Sequence, residues 1–76
     1  MREIRVALSN TVRMLDLQLD IINHDIEMLD EILKNDHGRL DIKAEKHYKH
    51  VIRQQLLNIK KNLINSITIE RQAEKE

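Results

Sequence analysis

The sequence predicts an all-α protein in which two long helices fold back on each other as an antiparallel hairpin. The 76 residues include no proline, one glycine and one aromatic residue, and 34% of them are charged, a composition that suits long helices. Apolar residues from Val12 to Leu33 recur at alternating steps of three and four, which is the heptad pattern of a helix packed against another helix. Turn-forming residues are dense only from Asn35 to Gly38, where the chain is expected to reverse.

The first helix is expected over residues 3–34. Lys34 lies near its end, where a cation interacts favourably with the helix dipole. The polar residues at positions 9–11 either cap a fresh start of the helix or belong to a frayed first turn. The apolar seam of this helix extends over four heptads and consists of Leu8, Val12, Leu15, Leu19, Ile22, Ile26, Leu29 and Leu33.

The turn is expected at residues 35–41 and the second helix over residues 42–70. Gly38 suits the left-handed conformation that often ends a helix, and Asp41 is a good N-cap for the next one. Beyond residue 70 the chain reads as a charged tail, residues 71–76, and the segment from Glu70 onward is expected to be disordered. The predicted seam of the second helix consists of Ile42, Ile52, Leu56, Ile59 and Leu63.

Charge distribution favours pairing between the two halves of the chain. Residues 1–36 carry eight acidic and four basic side chains, whereas residues 37–76 carry nine basic and five acidic ones. An antiparallel register in which paired residue numbers sum to about 78 brings Asp16 near Lys60 and Asp30 near Lys46. The same register predicts four apolar layers, which pair Ile26 with Ile52, Ile22 with Leu56, Leu19 with Ile59 and Leu15 with Leu63.

Further apolar residues lie beside the seams, on surfaces that a single helical neighbour would not cover. We expect these residues to bind a protein partner, and the flexible methionines suit an adaptable surface. The alternative is a homodimeric four-helix bundle in which the same residues form the core. The candidate partner-binding residues are Met14, Leu17, Ile21, Met28 and Ile32 in the first helix, with Leu57 and Ile64 in the second as a further choice.

No catalytic, cofactor or metal site is expected. Acidic residues are plentiful, but they lie on a long exposed face without a glycine-rich loop, a nucleophile or a concave site. Cysteine is absent, so neither disulfides nor thiolate ligands are available. His47 and His50 share a helical face near His24, but we interpret them as solvated histidines rather than zinc ligands. The chain is therefore predicted not to be an enzyme.

Nucleic-acid and membrane binding are not expected either. The lysines and arginines of the second helix invite comparison with small RNA-binding hairpins, which we keep as a second alternative, less favoured than the homodimer. The basic residues are spread around the helix, and Tyr48 is the only ring for stacking. Acidic and basic residues are equal in number, so no overall field draws the chain to a polyanion. No apolar run is long enough to insert into a membrane, and we expect a cytoplasmic location.

The hairpin resembles the small YscE-type co-chaperones of type III secretion, a family that includes the SsaE and EscE proteins. The matching features are the length, the turn from Asn35 to Leu40, Tyr48 early in the second helix, and the aliphatic segment from Asn62 to Ile67. The resemblance implies a cytoplasmic co-chaperone. Such a protein binds a TPR-like chaperone, and the two together keep the needle-forming subunit monomeric before export.

Overall fold

The computed structural model describes the backbone of residues 2–75 and the side chains of residues 3–73. Helix α1 (Arg2–Asn35) and helix α2 (Leu40–Lys75) pack side by side in opposite directions, and no strand occurs within the described backbone. The hairpin measures 59 × 15 × 13 Å. The predicted all-α helical hairpin is confirmed.

The core of the hairpin is small and lies in the middle of α1. Leu19, Ile22 and Ile26 are each 7% exposed, and they are the buried apolar residues of the described side chains. Burying such a side chain contributes about 1.5–3 kcal/mol. The other seam residues of α1 from Leu8 to Leu33 are only half-buried, so much of the apolar surface of this helix is not covered by α2.

Helix α1 is continuous through the polar residues at positions 9–11. The hydroxyl Oγ1 of Thr11 donates a hydrogen bond to the carbonyl oxygen of Ala7 at 3.0 Å, a bond that accommodates threonine inside a helix. At the other end, the N–H of Asp36 donates to the carbonyl oxygen of Ile32 at 2.9 Å. The polar residues therefore do not start a new helix, and α1 ends within a residue or so of its predicted boundary.

The turn differs from its prediction at two residues. Gly38 does not adopt a positive φ, and no other described residue of the turn does. Helix α1 therefore ends without a left-handed residue, and the backbone at Gly38 is compatible with any L-amino acid. Asp41 is not the N-cap, because α2 begins at Leu40 and the carbonyl oxygen of Arg39 accepts the N–H of Lys43 at 3.1 Å. Arg39 therefore occupies the N-cap position.

Asp41 instead binds the side chain of Arg39 in the first turn of α2. The two oxygens of its carboxylate accept hydrogen bonds from Nε of Arg39 at 3.0 Å and from Nη2 at 2.8 Å. This hydrogen bonding, assisted by the backbone N–H groups of Ile42 and Asp41, lowers the pKa of Asp41 from 3.8 to about 2. A carboxylate near a helix N-terminus is also favoured by the helix dipole.

Helix α2 extends beyond its predicted end near residue 70. It runs to Lys75, so the predicted disorder from Glu70 onward is wrong up to that residue; residue 76 lies outside the described part. The segment 71–75 contains arginine, glutamine, alanine, glutamate and lysine, which are all strong helix formers, and no glycine or proline. Continuing the helix therefore costs little backbone free energy.

The seam of α2 is rotated relative to its prediction. Ile52 and Ile59 are 41% and 48% exposed, so the layers that paired them with Ile26 and Leu19 are wrong. Ile42, Leu56 and Leu63 are common to the predicted and the observed stripe, so apolar spacing alone did not distinguish the two. The half-buried residues of α2 alternate at steps of four and three, and they are Ile42, Lys46, Lys49, Arg53, Leu56, Lys60, Leu63, Ile67 and Glu70.

Ion pairs between the helices define the register. Nζ of Lys46 lies 2.5 Å from Oδ1 of Asp30, and Nζ of Lys60 lies 2.6 Å from Oδ1 of Asp16. Both predicted pairs are confirmed, and their residue numbers sum to 76 rather than about 78. These lysines lie at seam positions because their long aliphatic stems cover apolar surface while the ammonium groups reach the aspartates.

Candidate partner-binding surface

A line of exposed apolar side chains follows α1 on one side of its seam. Met14, Ile21 and Met28 are spaced by seven residues, and more than half of each side chain is exposed. Residues spaced by seven lie on nearly the same side of an α-helix. Ile32, one turn beyond Met28, is 39% exposed and continues the line toward the turn.

Helix α2 contributes two isoleucines to the same side of the hairpin. Met28 and Ile32 line one surface depression together with Glu45 of α2, so this flank of α1 adjoins the flank of α2 that carries Glu45. Ile52 and Ile59 follow Glu45 at intervals of seven and lie on that flank too. We call the resulting surface the apolar face; it consists of Met14, Ile21, Met28, Ile32, Ile52 and Ile59.

Charged groups on the apolar face are gathered at one place. Nζ of Lys49 lies 3.2 Å from Oδ2 of Asp25 and 3.8 Å from Oε1 of Glu45. The remaining positions along this flank of α1, between Met14 and Ile32, are occupied by apolar residues and one glutamine. Away from the Lys49 cluster, the face therefore offers a nearly uncharged surface.

The seven predicted partner-binding residues do not form a single surface. Met14, Ile21, Met28 and Ile32 belong to the apolar face, and Leu17, three residues after Met14 and four before Ile21, adjoins it on the outer side of α1. On α2, the second-choice residues lie on the opposite side of the seam from Ile52 and Ile59. These two residues, Leu57 and Ile64, are 37% and 43% exposed.

Sequence reasoning missed Ile52 and Ile59 as surface residues. It placed them in the seam because they alternate correctly with Leu56 and Leu63. The available signal was charge: Lys46, Arg53 and Lys60 are spaced by seven, as are Asp16, Asn23 and Asp30 on α1. Two of the three facing pairs in these series, Asp30 with Lys46 and Asp16 with Lys60, are ion pairs in the structure.

Three basic residues of α2 form ion pairs with α1. Lys46, Lys49 and Lys60 each have an aspartate of α1 within ion-pair distance. An aspartate competes with any phosphate for the same ammonium group. These three ammonium groups are therefore less available to a nucleic-acid backbone than unpaired lysines would be.

The described titratable side chains are not gathered into a site that resembles a metal centre. Among the described side chains, no group of three or more histidines and acidic residues is close enough to hold a metal ion. His24 lines an open depression with Glu27 and Glu31 on the surface of α1. His47 contacts the ring of Tyr48, with the ring centroids 6.5 Å apart.

Comparisons of the chain with protein-family models, with curated proteins and with solved structures found no match. Within the described residues, neither helix contains a stretch long and apolar enough to cross a lipid bilayer.

Proposed function

We propose that the chain is a non-enzymatic protein-binding module whose apolar face receives a helix of another protein. One observation carries this proposal: six large aliphatic or methionine side chains are exposed together on one side of a hairpin that buries only three in the described part. An amphipathic helix laid along such a face would bury apolar surface on both proteins. Because these side chains are already about half covered, each contributes roughly half of the 1.5–3 kcal/mol that full burial provides.

The resemblance to YscE-type co-chaperones supplies the identity of the partner in this proposal. In that role the hairpin acts in the cytoplasm, binds a TPR-like chaperone and helps to hold a type III secretion needle subunit monomeric. A needle subunit polymerises through helical surface, so covering that surface with other helices prevents early assembly. A two-helix protein also completes the exposed end of a helical-repeat protein, because each repeat needs a neighbour to cover its apolar side.

Leu57 and Ile64 are assigned to a second contact. They lie on the side of the hairpin opposite the apolar face and are separated by seven residues. A complex with two partner proteins needs two such surfaces. We assign the apolar face to the larger interface because it has six apolar residues rather than two.

Co-expression tests the proposal. The tagged chain is produced with a TPR-like chaperone and a needle subunit from the same genome, and complexes are isolated by affinity and size-exclusion chromatography. Ile21→Asp places a carboxylate in the apolar face and should abolish the complex. Asn65→Asp is the matched control, because Asn65 is exposed on the side of α2 away from α1, and it should bind normally.

A third variant separates folding from binding. Ile26→Asp buries a carboxylate in the core and should unfold the hairpin, with loss of helical circular dichroism, whereas Ile21→Asp should keep the wild-type helicity. Failure of the wild-type chain to form any complex would refute the co-chaperone proposal. Normal binding by Ile21→Asp would remove the apolar face from the interface.

A further inference from the structure

We propose that two copies of the chain pack through their apolar faces, in opposite directions, about a twofold axis that crosses the helices at the level of Ile21. In this arrangement α1 of one copy lies antiparallel against α1 of the other, and the two α2 helices do the same. The product is a four-helix bundle formed by the free chain, which goes beyond the proposed function.

The exposed area of the chain is large enough to accommodate such an interface. A compact monomer of 9.1 kDa exposes about 4,900 Å² by the usual scaling of area with mass, whereas the hairpin exposes 5969 Å². The excess of roughly 1,100 Å² exceeds the ~800 Å² that each partner covers in a standard protein interface. A second copy of the chain provides a surface of the required size.

The apolar residues of α1 are arranged symmetrically about Ile21. Met14 and Met28 lie seven residues before and after it. In an interface with twofold symmetry, residue i of one copy contacts residue j of the other, and j contacts i. With the axis at Ile21, the two Ile21 side chains meet, and Met14 of each copy meets Met28 of the other.

Ile52 and Ile59, the apolar-face residues of α2, are arranged about the same axis as those of α1. Because the residue numbers of the Asp30–Lys46 and Asp16–Lys60 ion pairs sum to 76, Ile21 lies about level with Gln55 of α2. Ile52 and Ile59 lie three residues before and four residues after Gln55. One axis therefore pairs Ile52 of each copy with Ile59 of the other, and both helices place apolar residues opposite apolar residues.

The charged cluster selects the direction of packing. Asp25, Glu45 and Lys49 together carry a net negative charge on one side of the axis. Packing in opposite directions puts the clusters of the two copies on opposite sides of the axis, with Asp25 of one copy near the level of Leu17 and Gln18 of the other. A twofold axis along the length of the hairpin would instead place both clusters at one end, where like charges repel.

The dimer would also regulate the proposed function, and this consequence rests on that function. A second copy and a helical partner would cover the same apolar face, so the two would compete for it. Partner binding would then convert a homodimer into a complex that contains one copy of the chain. Dimerisation itself is measured on the isolated chain, so its result stands apart from any result with the partner.

Analytical ultracentrifugation of the full chain over a wide concentration range tests the dimer. Wild-type protein and Asn65→Asp should sediment as dimers at micromolar concentration. Ile21→Asp should raise the dimer dissociation constant at least tenfold, because twofold symmetry brings two carboxylates together. Circular dichroism at the same concentrations shows whether the variant is folded. A monomeric wild-type chain would overturn the proposal.

Single cysteines test the position and direction of the axis, because the natural chain has none. Under mild oxidation Ile21→Cys should form a disulfide-linked dimer at least tenfold faster than Glu27→Cys, which carries its thiol on the other flank of α1. A mixture of Met14→Cys and Met28→Cys should cross-link faster than either variant alone.

The alternative arrangements give different cross-links. A parallel dimer would link Met14→Cys to itself and Met28→Cys to itself. An axis along the hairpin would link Ile21→Cys to Ile52→Cys in a mixture, in preference to a second Ile21→Cys chain. Either pattern would overturn the proposed packing. A cross-linked dimer in a chain that binds no chaperone would refute the co-chaperone role and leave the dimer standing.

Discussion

Lys60 of α2 reaches across the hairpin to Asp16 of α1, with Nζ 2.6 Å from Oδ1. Lys60 occupies a position in the seam of α2. The spacing of Leu56 and Leu63 is equally compatible with a seam that contains Ile59 in its place. The stem of Lys60 packs along the seam, and its ammonium group remains at the edge with the carboxylate. An ion pair of this exposure is worth about 0.2–1 kcal/mol, and Ile52 and Ile59 lie outside the seam that Lys46 and Lys60 occupy.

Asn23→Asp should add a third ion pair to this series. Asn23 lies midway between Asp16 and Asp30, and Arg53 lies midway between Lys46 and Lys60. Arg53 is half-buried and makes no ion pair within the described side chains. The new carboxylate should raise the free energy of unfolding by about 0.2–1 kcal/mol, measured by urea denaturation at low salt.

The arginine provides the control for that variant. Combining Asn23→Asp with Arg53→Gln should cancel the gain, because the new carboxylate then has no cation. High salt should also reduce it. A gain that persists in the double variant would mean that Arg53 is not the partner.

Ile22→Ala should destabilise the hairpin far more than Leu17→Ala. Ile22 is 7% exposed in the core, whereas Leu17 is 58% exposed on the outer side of α1. Truncating a buried isoleucine costs about 2–5 kcal/mol, which is a large fraction of the stability of a small domain. Thermal denaturation followed by circular dichroism measures both variants, and equal losses would contradict the assigned core.

Gly38→Ala should be neutral or stabilising, despite the position of Gly38 in the turn. A Cβ atom added there would meet only Oδ1 of Asp36, at 3.9 Å, and the φ angle is not positive. Removing the flexibility of glycine from the unfolded chain stabilises proteins by about 0.4–1 kcal/mol when the backbone is compatible. A clear fall in melting temperature would show that the turn requires a left-handed residue.

Asp41→Asn should destabilise the hairpin near neutral pH and have no such effect in strong acid. The folded state lowers the pKa of Asp41 from 3.8 to about 2. The ionised carboxylate is thus favoured by folding, its contribution is fully present above about pH 4–5, and it is lost as the pH falls through about 2. Urea midpoints of wild type and variant, compared from pH 6 to pH 2, should converge.

Arg39→Gln removes the main donor to that carboxylate and should reproduce the loss near neutral pH. The two substitutions should be less than additive when combined, because they remove the same interaction. A difference between wild type and Asp41→Asn that stayed constant down to pH 2 would exclude the carboxylate as its source.

The candidate surface was predictable on α1 and not on α2. Met14, Ile21 and Met28 could be identified because they repeat every seven residues beside a seam whose residues fit only one apolar stripe. On α2, Leu56 and Leu63 belong equally to a stripe with Ile52 and Ile59 and to a stripe with Arg53 and Lys60. Hydropathy favoured the isoleucines, and the inter-helix ion pairs favoured the other stripe.

In the turn, too, one feature was predictable from the sequence and another was not. The density of turn formers placed the reversal correctly, but the capping roles of Gly38 and Asp41 were assigned from residue preferences alone. The structure pairs Asp41 with the side chain of Arg39, an interaction across two residues that no single-residue preference contains.

The amino-acid sequence by itself determined that this protein is an all-α hairpin, where the chain reverses, and that Asp16 and Asp30 meet Lys60 and Lys46. These features follow from heptad spacing, from turn formers and from opposite charges, which are local or strictly periodic. Only the tertiary structure decided the rotation of α2 about its axis. That rotation depends on which side chains pack better against α1, and it leaves Ile52 and Ile59 on the apolar face.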